Sequence, residues 1–249
     1  MNALGIIPAR YGSSRFPGKP LVDIGGMSLI ERVYRQAQQA TSLQKVVVAT
    51  DDERIRQHVN SFGGHAEMTR SDHATGTDRC VEIAGQFPEF DYVVNIQGDE
   101  PFLAPEQIDE VLQPLLFQSA ARIATLAKVI SKAEDIFNPN VVKVVLNKMG
   151  QAMYFSRSPI PFLRDIPQGQ WPGKVNFYKH IGLYAFHRET LLEISSLPPG
   201  YYEQAESLEQ LRWLAAGFAI AATVTDKETI GIDTPEDLER ALAYLKSRF

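Results

Sequence analysis

Ile6-Ile7-Pro8-Ala9-Arg10-Tyr11-Gly12-Ser13-Ser14-Arg15-Phe16-Pro17-Gly18-Lys19-Pro20 decides the reading of the chain. An apolar run, Leu4–Ile7, ends at Pro8 and reads as a strand. The loop after it carries two arginines, a lysine, two glycines and two serines. Such a loop offers backbone N–H groups and concentrated positive charge, which suits the many oxygens of a polyphosphate. It is not a P-loop: five residues separate Gly12 from Gly18, and Pro20 follows Lys19, so no hydroxyl is placed for a metal. No Gly-x-Gly-x-x-Gly occurs, which excludes the dinucleotide fingerprint. The alternative is a solvated surface loop.

Outward from this loop, strands and helices alternate. Leu29, Ile30, Val33, Tyr34 and Ala37 recur at helical spacing. Lys45–Thr50 is a continuous apolar run, expected of a strand covered on both faces. Asp51 or Asp52 caps the next helix, which Gly63-Gly64 stops. Tyr92–Ile96 reads as a buried strand, and Pro105 opens a helix to about Leu116. This order predicts right-handed crossovers and a mostly parallel sheet. Ligands of such sheets bind beyond the strands' carboxyl ends. The basic loop and Gln97-Gly98-Asp99-Glu100-Pro101 both follow strands and are expected on one rim.

The second half is less regular. Val141–Asn147 and Gln151–Phe155 read as two strands around a Lys148-Met149-Gly150 turn. Residues 156–179 read as loop, His180–His187 as a strand, and Ala205–Ala216 as one helix that puts Glu206 and Glu209 on one face. Thr234-Pro235-Glu236-Asp237 is a strong helix start.

Composition sets limits. The 249 residues allow one large domain, and 44 % apolar residues suit a substantial core. A net charge of −5 argues against general nucleic-acid binding. The single cysteine, Cys80, permits no internal disulfide and reads as a packed thiol. The N-terminus lacks signal-peptide features, and the 12-residue apolar stretch Trp213–Val224 is short of the ~20 residues of a membrane span. A cytoplasmic protein is expected.

Asp99, in a turn after an apolar strand, and Asp233, after Ile230-Gly231-Ile232, suit Mg²⁺, which takes one or two carboxylates plus phosphate oxygens. An ordinary turn residue and a helix-supporting acid are the alternatives. Residues 69–79 are hydroxyl-rich and end at a helix start, with Thr77 as a cap or as a reader of base or ribose. His73 reads as a hydrogen-bonded histidine. Arg157, Lys179, His180, Tyr184, Glu206 and Glu209 are candidates for a polar substrate, Arg157 as a bidentate partner of a carboxylate. Tyr184, Phe186 and Phe155 also fit a sheet core.

Seven segments in order resemble the 3-deoxy-manno-octulosonate cytidylyltransferases, the CMP-Kdo synthetases. They are residues 7–21, Val48–Asp52, Asn95–Pro101, Asn138–Val145, Tyr154–Arg157, Leu208–Arg212 and Asp233–Arg240. Residues 164–178 match least. The resemblance implies a Rossmann-like α/β fold of the nucleotide-diphospho-sugar transferase kind: a mostly parallel mixed sheet flanked by helices, with a small β-rich part for sugar binding and dimerisation. Within one domain, about 1–130 would bind nucleotide and about 140–215 the sugar.

The implied reaction moves CMP from CTP to Kdo, an eight-carbon acidic sugar, releasing diphosphate and activating the sugar for lipopolysaccharide synthesis. By the family pattern Ala9, Arg10, Ser13, Arg15 and Lys19 would hold the triphosphate, and Arg70, Asp72, Gly76 and Thr77 the cytosine and ribose. Asp99 and Asp233 would bind Mg²⁺. Gln97, Arg157, His180, Tyr184, Glu206 and Glu209 would hold the sugar. Arg10, Lys19, Asp99 and Asp233 would carry catalysis. The segment Ser158–Leu163 is apolar and proline-rich, and is expected to help form a homodimer. Competing readings are a cytidylyltransferase for 8-amino-Kdo or sialic acid, a glycosyltransferase using a finished sugar nucleotide, and a nucleotide sensor without turnover.

Overall fold

The computed structural model describes residues 2–12, 16–117 and 120–246. Ser13 and Arg15 therefore lie outside the described residues. The chain forms two compact units, residues 1–109 with 228–249, and residues 110–227. The chain changes unit after Asp109 and returns at Glu228, carrying Asp233 back to the first unit.

The first unit contains β1 (Ala3–Ala9), α1 (Leu29–Ala37), β2 (Leu43–Thr50), α2 (Glu53–Ser61), β3 (Ala66–Met68), α3 (Gly76–Gln86) and β4 (Tyr92–Asn95); α4 (Pro105–Phe117) then leads onward. All five apolar positions read at helical spacing in α1 are buried. Ser28 caps α1, and Asp52 caps α2 by accepting from the Arg54 N–H. The strands run β3-β2-β1-β4, every pair parallel. From β1 the chain moves outward through β2 and β3, then crosses back to place β4 on β1's other side. The β1–β4 junction is thus the switch point, where the loops after the two strands diverge and leave a crevice. Gly98 lets the chain cross close to β1: a Cβ there would lie 2.7 Å from the Pro8 carbonyl oxygen.

The second unit contains β5 (Ile123–Val129), α5 (Ala133–Phe137), β6 (Lys143–Leu146), β7 (Ala152–Ser156), β8 (Tyr178–His187), α6 (Arg188–Ile194), α7 (Tyr201–Glu206), α8 (Gln210–Ala215) and β9 (Ile220–Val224). Here β5 pairs antiparallel with β8 and parallel with β9, and β6 pairs antiparallel with β7 and β8. The β6–β7 hairpin and β8 match expectation. The short strand β3 and the alanine-containing strands β5 and β9 have weak sequence signals, because alanine supplies no period of its own.

One expectation is corrected. Residues 205–216 are not one helix: Ser207, with φ of 52°, ends α7, and α8 begins at Gln210. Glu206 closes one helix and Glu209 precedes the next, so they do not share a helical face. Between β7 and β8 the loop-like segment covers its own small core, in which Trp171 stacks on Phe177 beside Ile136. The chain then returns to the first unit and ends in α9 (Pro235–Lys246). No helix among the described residues is long and apolar enough to cross a membrane.

Candidate active site

Gly18 (φ 72°) turns the basic loop back so that its N–H donates to the Tyr11 carbonyl at 2.9 Å, across the Tyr11 ring. The Arg54 guanidinium covers that ring at 3.4 Å and pairs with Asp52. The turn that follows, Lys19–Leu21, aims the Lys19 side chain inward. Lys19 Nζ donates to Asp99 Oδ2 at 2.9 Å, to the Ile232 carbonyl at 2.8 Å and to Asp233 Oδ1 at 3.2 Å. The Ile232 N–H donates to the Asp99 carbonyl, tying the segment before α9 to the loop after β4.

Asp233 does not cap α9. Asp237 Oδ2 accepts from the N–H groups of Asp233 and Thr234, while Thr234 Oγ1 accepts from Asp237 N–H. The helix start is closed by Thr234 and Asp237, and the Asp233 carboxylate is turned to Lys19.

Lys19, Asp99 and Asp233 line a cavity of about 270 Å³ with Pro8, Ala9, Arg10, Gln97, Gly98, His73 and Gly76. Of the expected nucleotide set, Ala9, Arg10, Lys19 and Gly76 reach its wall, whereas Arg70, Asp72 and Thr77 do not. Arg70 and Asp72 form an exposed fork with each other, and Arg70's hydrogen bond lowers the Asp72 pKa. Thr77 lies buried in the first turn of α3, and the cap is Thr75, which forms a capping box with Asp78.

Two lining residues carried little sequence signal. Arg79 is 4 % exposed and donates to Thr69 Oγ1 and the Arg70 carbonyl, with Asp51 Oδ2 at 3.0 Å. It joins the ends of β2 and β3 to the wall of the cavity. His73 Nε2 pairs with the Glu82 carboxylate. Burial opposes ionisation of Glu82, but its bonds to His73 and Arg70 N–H outweigh this and hold its pKa below the ordinary value. Cys80, in α3, is a buried thiol.

Two carboxylates and a carbonyl converge on one cation, the Lys19 ammonium. An all-oxygen set of this kind suits Mg²⁺. Among the described residues no three histidine, cysteine or carboxylate side chains gather into a metal centre, so a metal here would share its coordination with bound phosphate.

The expected sugar residues, apart from Gln97, lie in the second unit. Glu206 accepts from Ser156 Oγ at 2.6 Å and from the Arg157 N–H at 2.9 Å. Arg157 donates to the carbonyls of Glu206 (2.7 Å), Pro139 (3.1 Å) and Ser207 (3.4 Å), and two of its five N–H groups make no hydrogen bond among the described residues. Beneath it lies Lys143, fully buried, whose ammonium donates to the carbonyls of Asn138, Val141 and Arg157. Burial lowers the Lys143 pKa, with the Arg157 charge adding to the effect. Sequence pattern gave no hint of it, since a lysine in a strand reads as solvent-facing. Glu209 pairs with Arg212 at 2.9 Å. Tyr184 is 7 % exposed, and burial, then the Glu209 charge, push its phenol up. His180 packs between the rings of Phe155 and Tyr184.

A parallel sheet with a cationic loop at its switch point, facing two carboxylates, is the frame of a nucleotidyltransferase. Residues 4–228 match the cytidylyltransferase family model. The chain is 52 % identical over 253 residues to the 3-deoxy-manno-octulosonate cytidylyltransferase of Parabacteroides distasonis, and 51 % identical over 252 residues to that of Bacteroides thetaiotaomicron, all of both chains being covered each time. A solved CMP:2-keto-3-deoxy-manno-octonic acid synthetase complexed with CTP superposes with a TM-score of 0.93 at 45 % identity, over all of both chains. The 4-diphosphocytidyl-2C-methyl-D-erythritol synthase of Anaerococcus prevotii shares the fold at 16 % identity, with a TM-score of 0.63. The chain belongs to the 3-deoxy-manno-octulosonate cytidylyltransferase family. It is an enzyme of class EC 2.7.7.38, with the α/β nucleotide-diphospho-sugar transferase-like fold.

Proposed function

We propose that the protein joins CTP and Kdo through the residues around Lys19, giving CMP-Kdo and diphosphate and so activating the sugar for lipopolysaccharide synthesis. The observation that carries this reading is the meeting of Lys19, Asp99 and Asp233 at the rim of a parallel sheet. Arg10, Ser13, Arg15 and Lys19 hold the triphosphate, with Ala9 beside it. By the family pattern Arg70, Asp72, Gly76 and Thr77 recognise cytosine and ribose, Gly76 from the cavity wall and the other three from beyond it. Gln97, Arg157, His180, Tyr184, Glu206 and Glu209 hold the sugar, with Arg157's remaining N–H groups on its carboxylate.

The sugar's anomeric hydroxyl attacks the α-phosphorus, the new P–O bond forms as the bond to diphosphate breaks, and the hydroxyl proton passes to solvent water. Displacements of this kind need alignment and charge stabilisation more than covalent participation. Lys19 neutralises charge on the α-phosphate and the departing diphosphate, and Arg10 shares that charge. Asp99 and Asp233 would hold Mg²⁺, which would supply charge neutralisation and lower the pKa of the attacking hydroxyl. No histidine base is needed.

The assignment is tested by diphosphate release with CTP and Mg²⁺, offering Kdo, its 8-amino analogue and sialic acid in parallel. Fastest turnover with Kdo is expected. Preference for either other sugar makes the protein a cytidylyltransferase of that sugar, and CTP binding without diphosphate release makes it a sensor. We assign the protein to the cytoplasm, and to a homodimer formed through Ser158–Leu163, where the Phe162 side chain is 71 % exposed.

A further inference from the structure

Opposite each other on β5 and β8 stand Thr125 and Tyr184, but at the next residue of β5 Leu126 faces Ile181, so β8 has two residues more. The register shift is a β-bulge at Gly182-Leu183, the kind of feature that re-aims side chains beside functional sites. It turns two main-chain carbonyls onto one hydroxyl. Thr125 Oγ1, fully buried, lies 3.1 Å from the Ile181 oxygen and 2.9 Å from the Leu183 oxygen. The same Oγ1 lies 3.0 Å from His180 Nε2.

A hydroxyl owns one proton. Two carbonyl oxygens carry none, so the Thr125 proton belongs between Oγ1 and those carbonyls. Were it given to His180 instead, three oxygens would face one another without a proton in a buried place, which is costly. The bond to the imidazole therefore runs the other way: His180 Nε2–H donates, and a Thr125 lone pair accepts. One ring nitrogen is thereby assigned its proton, and Nδ1 becomes a lone-pair acceptor. It makes no hydrogen bond among the described residues. Burial supports the neutral ring, lowering the His180 pKa to about 3.

We infer that Thr125 is a positioning residue that locks His180 as the neutral Nε2–H tautomer, so that Nδ1 accepts a hydrogen bond from a sugar hydroxyl. The inference rests on the reading of His180 as a sugar residue. It has a consequence for specificity. An uncharged acceptor rewards a hydroxyl at that position of the ligand and gives nothing to a carboxylate, which has no proton to offer at neutral pH. The carboxylate of the acidic sugar must then find its partner elsewhere, and Arg157 is a cation of the same unit.

The test has two independent arms. Long-range ¹H–¹⁵N correlation spectra of the wild-type protein at pH 7 read the tautomer directly, with His180→Gln providing the assignment. A His180 ring protonated at Nε2 alone is expected; a ring protonated at Nδ1, or at both nitrogens, overturns the inference. In the second arm, Thr125→Ser keeps one hydroxyl and Thr125→Val removes it. The serine variant is expected to keep the wild-type tautomer and the KM for the sugar. The valine variant is expected to raise the sugar KM at least tenfold, with the KM for CTP within twofold. If the spectra give the Nε2–H form but Thr125→Val leaves the sugar KM unchanged, the tautomer stands and the sugar role of His180 fails. If Thr125→Val does not fold, the wild-type spectrum and the kinetics of Thr125→Ser decide, and a serine variant that has lost the Nε2–H form overturns the lock.

Discussion

Lys19 Nζ lies 2.9 Å from Asp99 Oδ2, joining residues 80 positions apart. The lysine's second carboxylate, Asp233, is 214 positions away. One ammonium thus gathers the loop after β1, the loop after β4 and the residues before α9 at a single point. It neutralises two acids that would otherwise repel each other; on the proposed reading, CTP would give Lys19 a new partner and leave the two carboxylates to hold Mg²⁺.

Lys19→Met is therefore expected to act in two directions. Turnover should fall about 10²–10³-fold, as when one preorganised transition-state contact is removed. Binding of Mn²⁺ to the protein without nucleotide should tighten, because the competing internal cation is gone. Titration calorimetry or Mn²⁺ resonance spectra measure the second effect, and unchanged Mn²⁺ affinity would remove Lys19 as the resident counterion.

Arg157 and Glu206 separate ligand binding from scaffolding. Arg157→Ala should raise the sugar KM far more than the CTP KM; equal loss for both ligands in calorimetry counts against its role with the sugar carboxylate. Glu206→Ala leaves Ser156 Oγ and the Arg157 N–H without an acceptor. About 1–3 kcal/mol of stability should be lost, read from urea denaturation.

Asp109 provides a pH signature. Its carboxylate accepts from the Ser42 N–H at 2.9 Å and from Thr41 Oγ1 at 2.9 Å. Burial raises its pKa, but these bonds outweigh burial, and the net shift is downward from 3.8. The folded state then holds its proton less tightly than the unfolded chain. The stabilisation is complete above pH 3.8 and lost as pH falls through the folded-state value. Asp109→Asn should lower the denaturation midpoint by a constant amount above pH 5, with the gap to wild type closing below pH 4. A gap that widens in acid would reverse the sign.

The exposed Phe162 ring, edge-on to Trp171, tests the dimer. Phe162→Asp should yield monomers in light scattering at micromolar concentration with the circular dichroism spectrum unchanged. A wild-type monomer under the same conditions removes the dimer.

Much of the first unit was legible because its signals are local. The apolar spacing of α1, the run before Thr50, the Asp52 cap and the Thr234-Pro235 start each act within a few residues, and each element stands where its residues put it. Strand–helix alternation also settled which ends of the strands would carry ligand loops, since crossovers have one hand. Glu206 and Glu209 defeated the same logic: a helical pattern across 205–216 cannot announce that Ser207 will adopt a left-handed backbone.

The sequence by itself determined the family, the parallel frame and the chemical types at the site, because periodicity, caps and motif order are written in neighbouring residues. Only the tertiary structure decided which groups meet. The bond from Lys19 to Asp233, the burial of Lys143 beneath Arg157, the packing of Arg79 against Asp51, and the proton held between Thr125 and two bulge carbonyls all join distant residues or depend on how strands register. Charge pairing and hydrogen-bond direction fall off within a few ångströms, so they are fixed by distance in space, which spacing along the chain does not contain.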